Sequence, residues 1–268
     1  MTGSDSRHEV LLRGDLTVLG RIRAASNATF LCEAGTDGEA VHCVYKPVAG
    51  EQPLWDFPDG TLAGRELAAF LVSEALGWNI VPHTIIREGP AGPGMLQLWV
   101  EQPGDSGDDT GPDLVDLCPA DNVPAGYLSI LRAYDDTGGE VTLVHADDPT
   151  LRRMAVFDVI VNNADRKGGH ILSGVDGRVY GVDHGISLHV NDKLRTVLWG
   201  WAGAPLDIET LDSVATLQRR LAGPLGDRLR QNITAAEFDA LRRRVRALLD
   251  NPLMPTPNGR QPLPWPAF

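Results

Sequence analysis

The chain has 268 residues, of which 43% are hydrophobic and 22% are charged, and its formal net charge is −12 at pH 7. This composition is typical of globular proteins, and the length suits one large domain or two small lobes that share a cleft. The excess of acidic residues argues against nucleic acid as a partner and against binding to anionic membranes.

The cysteine content and the first residues indicate the compartment. Cys32, Cys43 and Cys118 form no CxxC pair and are odd in number, which argues against a disulfide framework or a structural zinc site. The amino-terminal stretch carries charges where a signal peptide needs an apolar core. No apolar run approaches the roughly 20 residues that span a bilayer. We therefore predict a cytoplasmic protein without integral membrane contact.

The first 101 residues alternate short strands with one helix. Alternating apolar residues and polar turns predict the strands, whereas residues 62–78 place apolar side chains along one stripe and predict the helix. We assign residues 1–101 to a strand-rich N-terminal lobe. The predicted strands lie within residues 9–31, 41–48, 84–89 and 94–101.

Residues 102–126 are acidic and rich in glycine and proline, which predicts a solvated connector or a disordered insert between two lobes. Helical patterns dominate afterwards, so residues 127–251 are assigned to a helical C-terminal lobe. One helix is expected to begin at an Asp148 N-cap, and another at a capping box of Thr234 and Glu237.

The tail, residues 252–268, has too many prolines for a regular helix. It is predicted to pack as an extended strap through Trp265 and Phe268, or to be mobile. A strand-rich lobe followed by a helical lobe predicts an α+β fold with a cleft between the lobes.

The order of acidic residues after position 158 fits phosphoryl transfer. That reaction needs a lysine for the phosphates, carboxylates for Mg²⁺ and a carboxylate beside the attacking hydroxyl. In protein kinases the catalytic Asp is followed at five positions by a metal-binding Asn, and a short hairpin leads to the Asp of a D-F-G triplet. Here Asp165 is followed at five positions by His170, and a turn and a strand lead to Asp183 in "DHG".

The segments "FDVIVNNADRKGGHIL" and "VYGVDHGISL" resemble the catalytic and metal-binding loops of phosphatidylinositol 3-/4-kinases, with bacterial HipA-type kinases as a related resemblance. "SNATFL", "VYKPVAGEQPLWDFPDGTLAGRE" and "ALGW" are similar to an actinobacterial branch of that group. The resemblance covers residues 15–250, approximately. It implies a two-lobed protein-kinase-like fold, ATP as the phosphate donor, and Mg²⁺ or Mn²⁺ as the metal.

The resemblance implies roles for the matching residues. Lys46, at a strand end, binds phosphate, and Glu66 on the following helix pairs with it. Glu74, two turns further along that helix, is the alternative partner. Asp165 accepts or orients the proton of the attacking hydroxyl, and Asp183 chelates the metal.

Other roles carried over by the resemblance involve backbone or basic groups. Arg166 and Lys167 either neutralise the transferred phosphate or form a solvated basic tip. The backbone of Trp99, Val100 and Glu101 is expected to bind adenine. The phosphate-covering loop lacks the usual glycines, and small residues with their backbone N–H groups replace them. This loop contains Ser26, Asn27 and Thr29.

Two histidines depart from the kinase pattern. His170 stands in place of the metal-binding Asn, and imidazole favours softer ions than Mg²⁺. Mn²⁺ is then preferred, or the second metal is absent, or the protein is a weak or inactive kinase. His184 replaces the Phe of D-F-G and is expected to be structural. A zinc cage that adds His189 to His170, Asp183 and His184 has no HExxH-like spacing to support it.

We predict transfer of the γ-phosphate of ATP to a hydroxyl acceptor. The acceptor is a protein (including the chain itself), a soluble small molecule such as an inositol derivative, or, less favoured, a phosphoinositide. The lipid is disfavoured because the segment after "DHG" has only Lys193 and Arg195 as cations. Its "VLWGWAG" stretch is expected to pack in the core. The rivals are a nucleotide-binding pseudokinase that acts as a protein-interaction module and an AMP transferase.

Overall fold

The computed structural model describes residues 3–22, 27–36, 38–58, 61–103, 113–258 and 261–268. The chain begins with helix α1 (Gly3–Arg13), so the prediction of strand from residue 9 is wrong for its first five residues. Val10 and Leu11 explain the helix, because both are buried against the neighbouring sheet. Tertiary packing thus overrides a short apolar run that also suits a strand.

The N-terminal lobe contains a five-stranded antiparallel sheet with the strand order β1-β2-β3-β5-β4. Along β3, side chains alternate between the two faces, so Tyr45 enters the core while Lys46 points to the other face. The strands are β1 (Asp15–Arg21), β2 (Phe30–Thr36), β3 (Glu39–Pro47), β4 (Thr84–Gly89) and β5 (Gly92–Leu98).

Helix α2 (Leu62–Leu76) connects β3 to β4 and is buried along most of its length. The Thr61 side chain accepts a hydrogen bond from the Gly64 N–H at its start. Gly77 ends it in the left-handed region with φ of 73°, where glycine is favoured. These two caps fix the phase of the helix, and that phase decides which acidic side chain faces β3.

A second sheet follows where helices were predicted. Strands β6 (Val115–Pro119), β7 (Tyr127–Tyr134) and β8 (Glu140–Ala146) form an antiparallel sheet in the order β6-β8-β7. Strand β6 lies inside the predicted connector 102–126, which is therefore not irregular throughout, and residues 104–112 lie outside the described residues. The predicted helical lobe also begins with strands.

The second hairpin had a sequence signal. The turn that follows β7 contains Asp135, whose Oδ1 accepts from the N–H groups of Thr137 and Gly139. Gly138 has φ of 84°. An Asp followed by two glycines in a turn is a recognised hairpin pattern.

Helices then dominate, as predicted. Asp148 caps α3 with Pro149 in its first turn, and Thr234 and Glu237 form the predicted capping box. The hairpin β9 (Ile171–Ser173) and β10 (Val179–Gly181) lies between α3 and α4. The helices are α3 (Pro149–Val161), α4 (Ile208–Arg220), α5 (Pro224–Arg230) and α6 (Ala235–Asp250). The predicted α+β fold, with a strand-rich first lobe and a helical second lobe, is confirmed.

The tail packs against the C-terminal lobe. The Pro262 carbonyl accepts from Thr196 N–H at 3.2 Å, and the Ala267 carbonyl accepts from Gly168 N–H at 2.8 Å. A Cβ atom on Gly168 would lie 2.6 Å from the Phe268 ring, so a side chain there would displace that ring. Of the two predicted anchors of the strap, Phe268 is about half exposed and contacts Gly168, whereas Trp265 is wrong as an anchor because its side chain is 83% exposed.

Within the residues that the structure describes, no helix combines the length and the apolar character needed to cross a bilayer.

Candidate active site

Lys46 bridges two carboxylates at the cleft between the lobes. Its Nζ lies 2.7 Å from Glu66 Oε1 and 2.8 Å from Asp183 Oδ1. Burial would lower the pKa of Lys46, but the charges of Asp183 and Glu66 outweigh burial and raise it, so the amine stays charged. Glu66 is almost fully buried and is the partner of Lys46, whereas Glu74 is exposed elsewhere on α2.

Asp183 follows β10 with φ of 60°, a conformation that non-glycine residues seldom adopt. The charge of Lys46 holds the pKa of Asp183 well below its usual range, so the carboxylate is ionised. Half of the side chain is exposed. An ionised, accessible carboxylate in a strained backbone conformation is typical of a functional position.

His170 lies beside Asp183. Its Nδ1 is 2.9 Å from the Asp165 carbonyl oxygen, and because a carbonyl only accepts, Nδ1 carries the proton. Nε2 therefore has a free lone pair, and it lies 3.5 Å from Asp183 Oδ2. Burial lowers the pKa of His170, which keeps the imidazole neutral at pH 7. A neutral nitrogen next to a carboxylate oxygen is a donor set suited to a divalent cation.

The surroundings limit which metal fits. Among the described residues, no group of three or more His, Cys, Asp or Glu side chains could hold an ion. Two protein ligands fit Mg²⁺ or Mn²⁺ when phosphate oxygens and water complete the shell. His184 and His189 do not join this pair, since His184 is fully buried against Arg166 and His189 packs on Phe57 with ring centroids 5.0 Å apart.

Asp165 is partly exposed at the cleft, with Lys167 beside it. Its backbone N–H donates to Asn163 Oδ1 at 3.0 Å, and Lys167 Nζ lies 3.5 Å from its Oδ2. Burial raises the pKa of Asp165, Lys167 opposes that shift, and Asp183 adds to it. A partly exposed carboxylate with a raised pKa in a cleft is a candidate general base.

Lys46, Glu66, Asp165 and Asp183 line one cavity of about 190 Å³, whereas His170 and Lys167 do not line it. Asn27 and Thr29 line it as well, whereas Ser26 lies outside the described residues. Two contacts involve the described part of this loop. Asn27 Oδ1 accepts from the Gln52 N–H. Gly50 leaves room for Ala28, because a Cβ atom on Gly50 would lie 2.5 Å from the Ala28 side chain. The predicted phosphate-covering loop thus borders the same cavity as Lys46, Glu66, Asp165 and Asp183.

The predicted adenine-binding segment does not line that cavity. Trp99, Val100 and Glu101 border a separate cavity of about 360 Å³. The Trp99 N–H donates to the His42 carbonyl at 3.0 Å, and the Glu101 carbonyl accepts from Val175 N–H at 2.8 Å. Those two backbone groups are engaged within the protein. The role of the Trp99, Val100 and Glu101 backbone in adenine binding stays a prediction.

Both predicted roles of Arg166 are wrong, because its side chain is fully buried and reaches neither solvent nor the cavity. It forms an ion pair with Asp158 at 2.9 Å. Sequence reasoning missed Asp158, although a signal was present: one charged residue within the apolar helix segment "VFDVIV" requires a buried partner. Lys167 remains beside Asp165, with 21% of its side chain exposed.

The segment after "DHG" contacts the N-terminal lobe. Lys193 Nζ lies 2.8 Å from Asp56 Oδ2 and 5.3 Å from the centre of the Phe57 ring. Lys193 is therefore engaged across the cleft. Trp199 and Trp201 are buried, which confirms that "VLWGWAG" packs in the core.

A curated relative, Protein Rv2133c of Mycobacterium tuberculosis strain ATCC 25618 / H37Rv, is 68% identical over 271 residues. The match covers all of this chain and 98% of the relative. The chain belongs to the Rv2133c family. No protein-family model matches the chain, so grouping the Rv2133c family with the phosphatidylinositol 3-/4-kinases stays a prediction.

Among solved structures, the crystal structure of the golgi casein kinase is similar to this member of the Rv2133c family with a TM-score of 0.49 and 14% sequence identity. The match covers 92% of this chain and 73% of the other. In this chain the order of sheets and helices gives a strand-rich lobe followed by a helical lobe, and Lys46 of the first lobe pairs with Glu66 on its helix.

Proposed function

We propose that this protein is a metal-dependent phosphotransferase that moves the γ-phosphate of ATP to a hydroxyl group. The observation that carries the proposal is the position of Lys46 between Glu66 and Asp183, in one cavity with Asp165. A lysine fixed by a helix glutamate, a metal-binding aspartate and a second aspartate for the acceptor are the parts that phosphoryl transfer needs.

Each residue has a defined task in this proposal. Lys46 donates to phosphate oxygens and is held in place by Glu66. Asp165 accepts the proton of the acceptor hydroxyl. The oxygen of that hydroxyl attacks the γ-phosphorus, and the bond between the γ-phosphorus and the leaving ADP breaks. Asp183 and His170 would hold Mg²⁺ or Mn²⁺, which neutralises phosphate charge when bound. Lys167, beside Asp165, is positioned to offset the charge of the transferred group.

The finer grouping with phosphatidylinositol 3-/4-kinases belongs to this proposal, but a soluble or protein hydroxyl is the favoured acceptor. A phosphoinositide headgroup needs free cations beside the acceptor site. Lys193 is paired with Asp56, and the whole chain has a net charge of −12. Both observations favour an acceptor without several phosphates.

Isotope transfer separates the proposed activity from its rivals. The purified protein is incubated with γ-labelled or α-labelled ATP and with Mg²⁺ or Mn²⁺. We expect label from the γ position alone on the protein or an added hydroxyl compound. Label from the α position would identify an AMP transferase, and ATP binding without transfer would identify a pseudokinase.

Glu66 and the exposed Glu140 on β8 provide a matched pair of variants. Glu66→Gln removes the charge that fixes Lys46 and is expected to lower γ-phosphate transfer by about 100-fold, as misplaced catalytic groups do. Glu140→Gln, outside both cavities, should retain wild-type transfer rates. Equal activity in both variants would refute the assigned role of the Lys46–Glu66 pair.

His170 is expected to set the metal preference. His170→Asn replaces the imidazole nitrogen by an amide oxygen, a harder ligand that suits Mg²⁺ better. The rate with Mg²⁺ divided by the rate with Mn²⁺ should therefore rise in the variant. The ratio is measured by ATP turnover at saturating metal, with His189→Asn, whose ring packs on Phe57, as the control. An unchanged ratio would show that His170 does not contact the metal.

A further inference from the structure

Asp158 and Arg166 form a fully buried ion pair beneath the candidate site, and neither lines its cavity. Arg166 Nε lies 3.0 Å from Asp158 Oδ2, and Arg166 Nη2 lies 2.9 Å from Asp158 Oδ1. Two parallel hydrogen bonds of this kind fix the plane of the guanidinium as well as its position. The rest of the guanidinium is thereby aimed in a defined direction.

The remaining donors of Arg166 reach both candidate loops. Nη1 donates to the carbonyls of His170 and Val182, each at 3.1 Å. Nη2 lies 2.6 Å from His184 Nε2, which must accept because a guanidinium only donates. Arg166 therefore holds the backbone of His170, one candidate metal ligand. It also bonds the residues on both sides of Asp183, the other candidate ligand.

Asp158 also positions the candidate base. Its Oδ1 accepts from Asn163 Nδ2 at 3.1 Å, and Asn163 Oδ1 accepts from the Asp165 N–H at 3.0 Å. The network continues to the N-terminal lobe, because the His184 N–H donates to Glu66 Oε2 at 2.9 Å. A single carboxylate thus connects the base, the metal ligands and the partner of Lys46.

The backbone is shaped around this pair. A Cβ atom on Gly181 would lie 3.0 Å from Arg166 Nη2 and 3.1 Å from Nη1. A side chain at position 181 would displace the guanidinium, so glycine makes room for it. The same residue closes β10, two positions before Asp183.

We infer that the Asp158–Arg166 pair is the positioning element that fixes Asp165 relative to His170 and Asp183. Neither residue touches substrate in this role, and its catalytic consequence rests on the proposed phosphotransferase function. Partners that orient metal ligands typically change metal affinity by about 10–100-fold when they are altered. The inferred role therefore predicts a defect in metal use beyond any loss of stability.

Arg166→Lys tests this role without leaving Asp158 unpaired. The lysine keeps the positive charge, but a single ammonium cannot reach Asp158, the two carbonyls and His184 together. Arg65→Lys is the matched control, since Arg65 is also buried and ion-paired, with Glu237, and does not line the cavity. Thermal unfolding of both variants gives the loss of stability common to such substitutions.

Two measurements then separate positioning from stability. Without nucleotide or metal, we expect hydrogen exchange in residues 168–171 and 181–185 to accelerate about tenfold in Arg166→Lys relative to Arg65→Lys, because the loops open locally. With ATP, the Mg²⁺ or Mn²⁺ concentration for half-maximal turnover should rise by about 10–100-fold in Arg166→Lys only.

The outcomes distinguish this inference from the proposed function. Equal exchange in both loops for the two variants would overturn the positioning role, whatever the activity. Wild-type protein that neither binds nor turns over ATP would refute the phosphotransferase proposal, while the exchange measurement would still decide whether the pair fixes the loops.

Discussion

Asp165→Asn is expected to lower γ-phosphate transfer by about 10²–10⁴-fold, the contribution of a positioned general base. The amide has the shape of the carboxylate but cannot accept the acceptor proton at neutral pH. The backbone N–H of residue 165 donates to Asn163 Oδ1 and is unchanged by the substitution, so the loop should keep its conformation. Single-turnover transfer of labelled phosphate measures the effect, and ATP affinity measured by calorimetry should stay within about threefold, since the base does not bind the nucleotide.

The control for this prediction is Asp135→Asn. Asp135 belongs to the turn between β7 and β8, accepts from the Thr137 N–H at 2.9 Å, and lines neither the candidate cavity nor the cavity beside Trp99. That variant should transfer phosphate like the wild type. Retention of more than about a tenth of the wild-type transfer rate by Asp165→Asn would exclude Asp165 as the base, because general bases contribute far more.

Asp158→Ala should cost about 3–5 kcal/mol of unfolding free energy, the typical result of removing one partner from a buried ion pair. The Arg166 guanidinium would remain fully buried with its charge uncompensated. Asn163 Nδ2 would lose its acceptor as well. Equilibrium unfolding in urea measures the loss through the shift of the midpoint.

Asp207→Ala provides the comparison, because Asp207 caps α4 at the surface and accepts from Thr210 N–H. Loss of a cap of this kind costs about 1 kcal/mol. A change at Asp158 no larger than that at Asp207 would mean that Arg166 finds another partner or is hydrated in the variant.

The core of the site could be predicted from the sequence because its parts lie at fixed spacings along short elements. Lys46 ends a strand with clear alternation, and α2 places Glu66 one turn from its start. Asp165 and Asp183 flank a hairpin of nearly fixed length. The roles of Lys46 and Glu66 were implied by the resemblance to the kinase group, and the choice of Glu66 over Glu74 came from the structure.

Other features depended on distant contacts and could not be predicted in this way. Arg166 looked like part of a basic tip because its neighbour is Lys167, yet Asp158, eight residues away, draws it into the core. Strand β6 lies in an acidic, glycine-rich stretch and is stabilised by pairing with β8. Residues 9–13 form helix because Val10 and Leu11 pack against the sheet in that conformation.

Backbone chemistry was a further limit. The predicted adenine segment was defined by main-chain groups, and side-chain patterns do not indicate which of those groups are already bonded. In the structure the Trp99 N–H is used by the sheet itself. His184, which stands in place of the Phe of D-F-G, could be predicted to be structural. Its role as a hydrogen-bond acceptor for Arg166 could not be predicted, because the sequence does not show that Arg166 is its buried neighbour.

The contact between the tail and the loop after Asp165 affects how the protein can be handled. The Ala267 carbonyl accepts from the Gly168 N–H, and the Phe268 ring contacts that glycine. Gly168 is three positions after Asp165, the candidate base, so a peptide fused after residue 268 begins beside the loop that contains both residues. We expect a tag fused at that end to disturb the contact between Ala267 and Gly168.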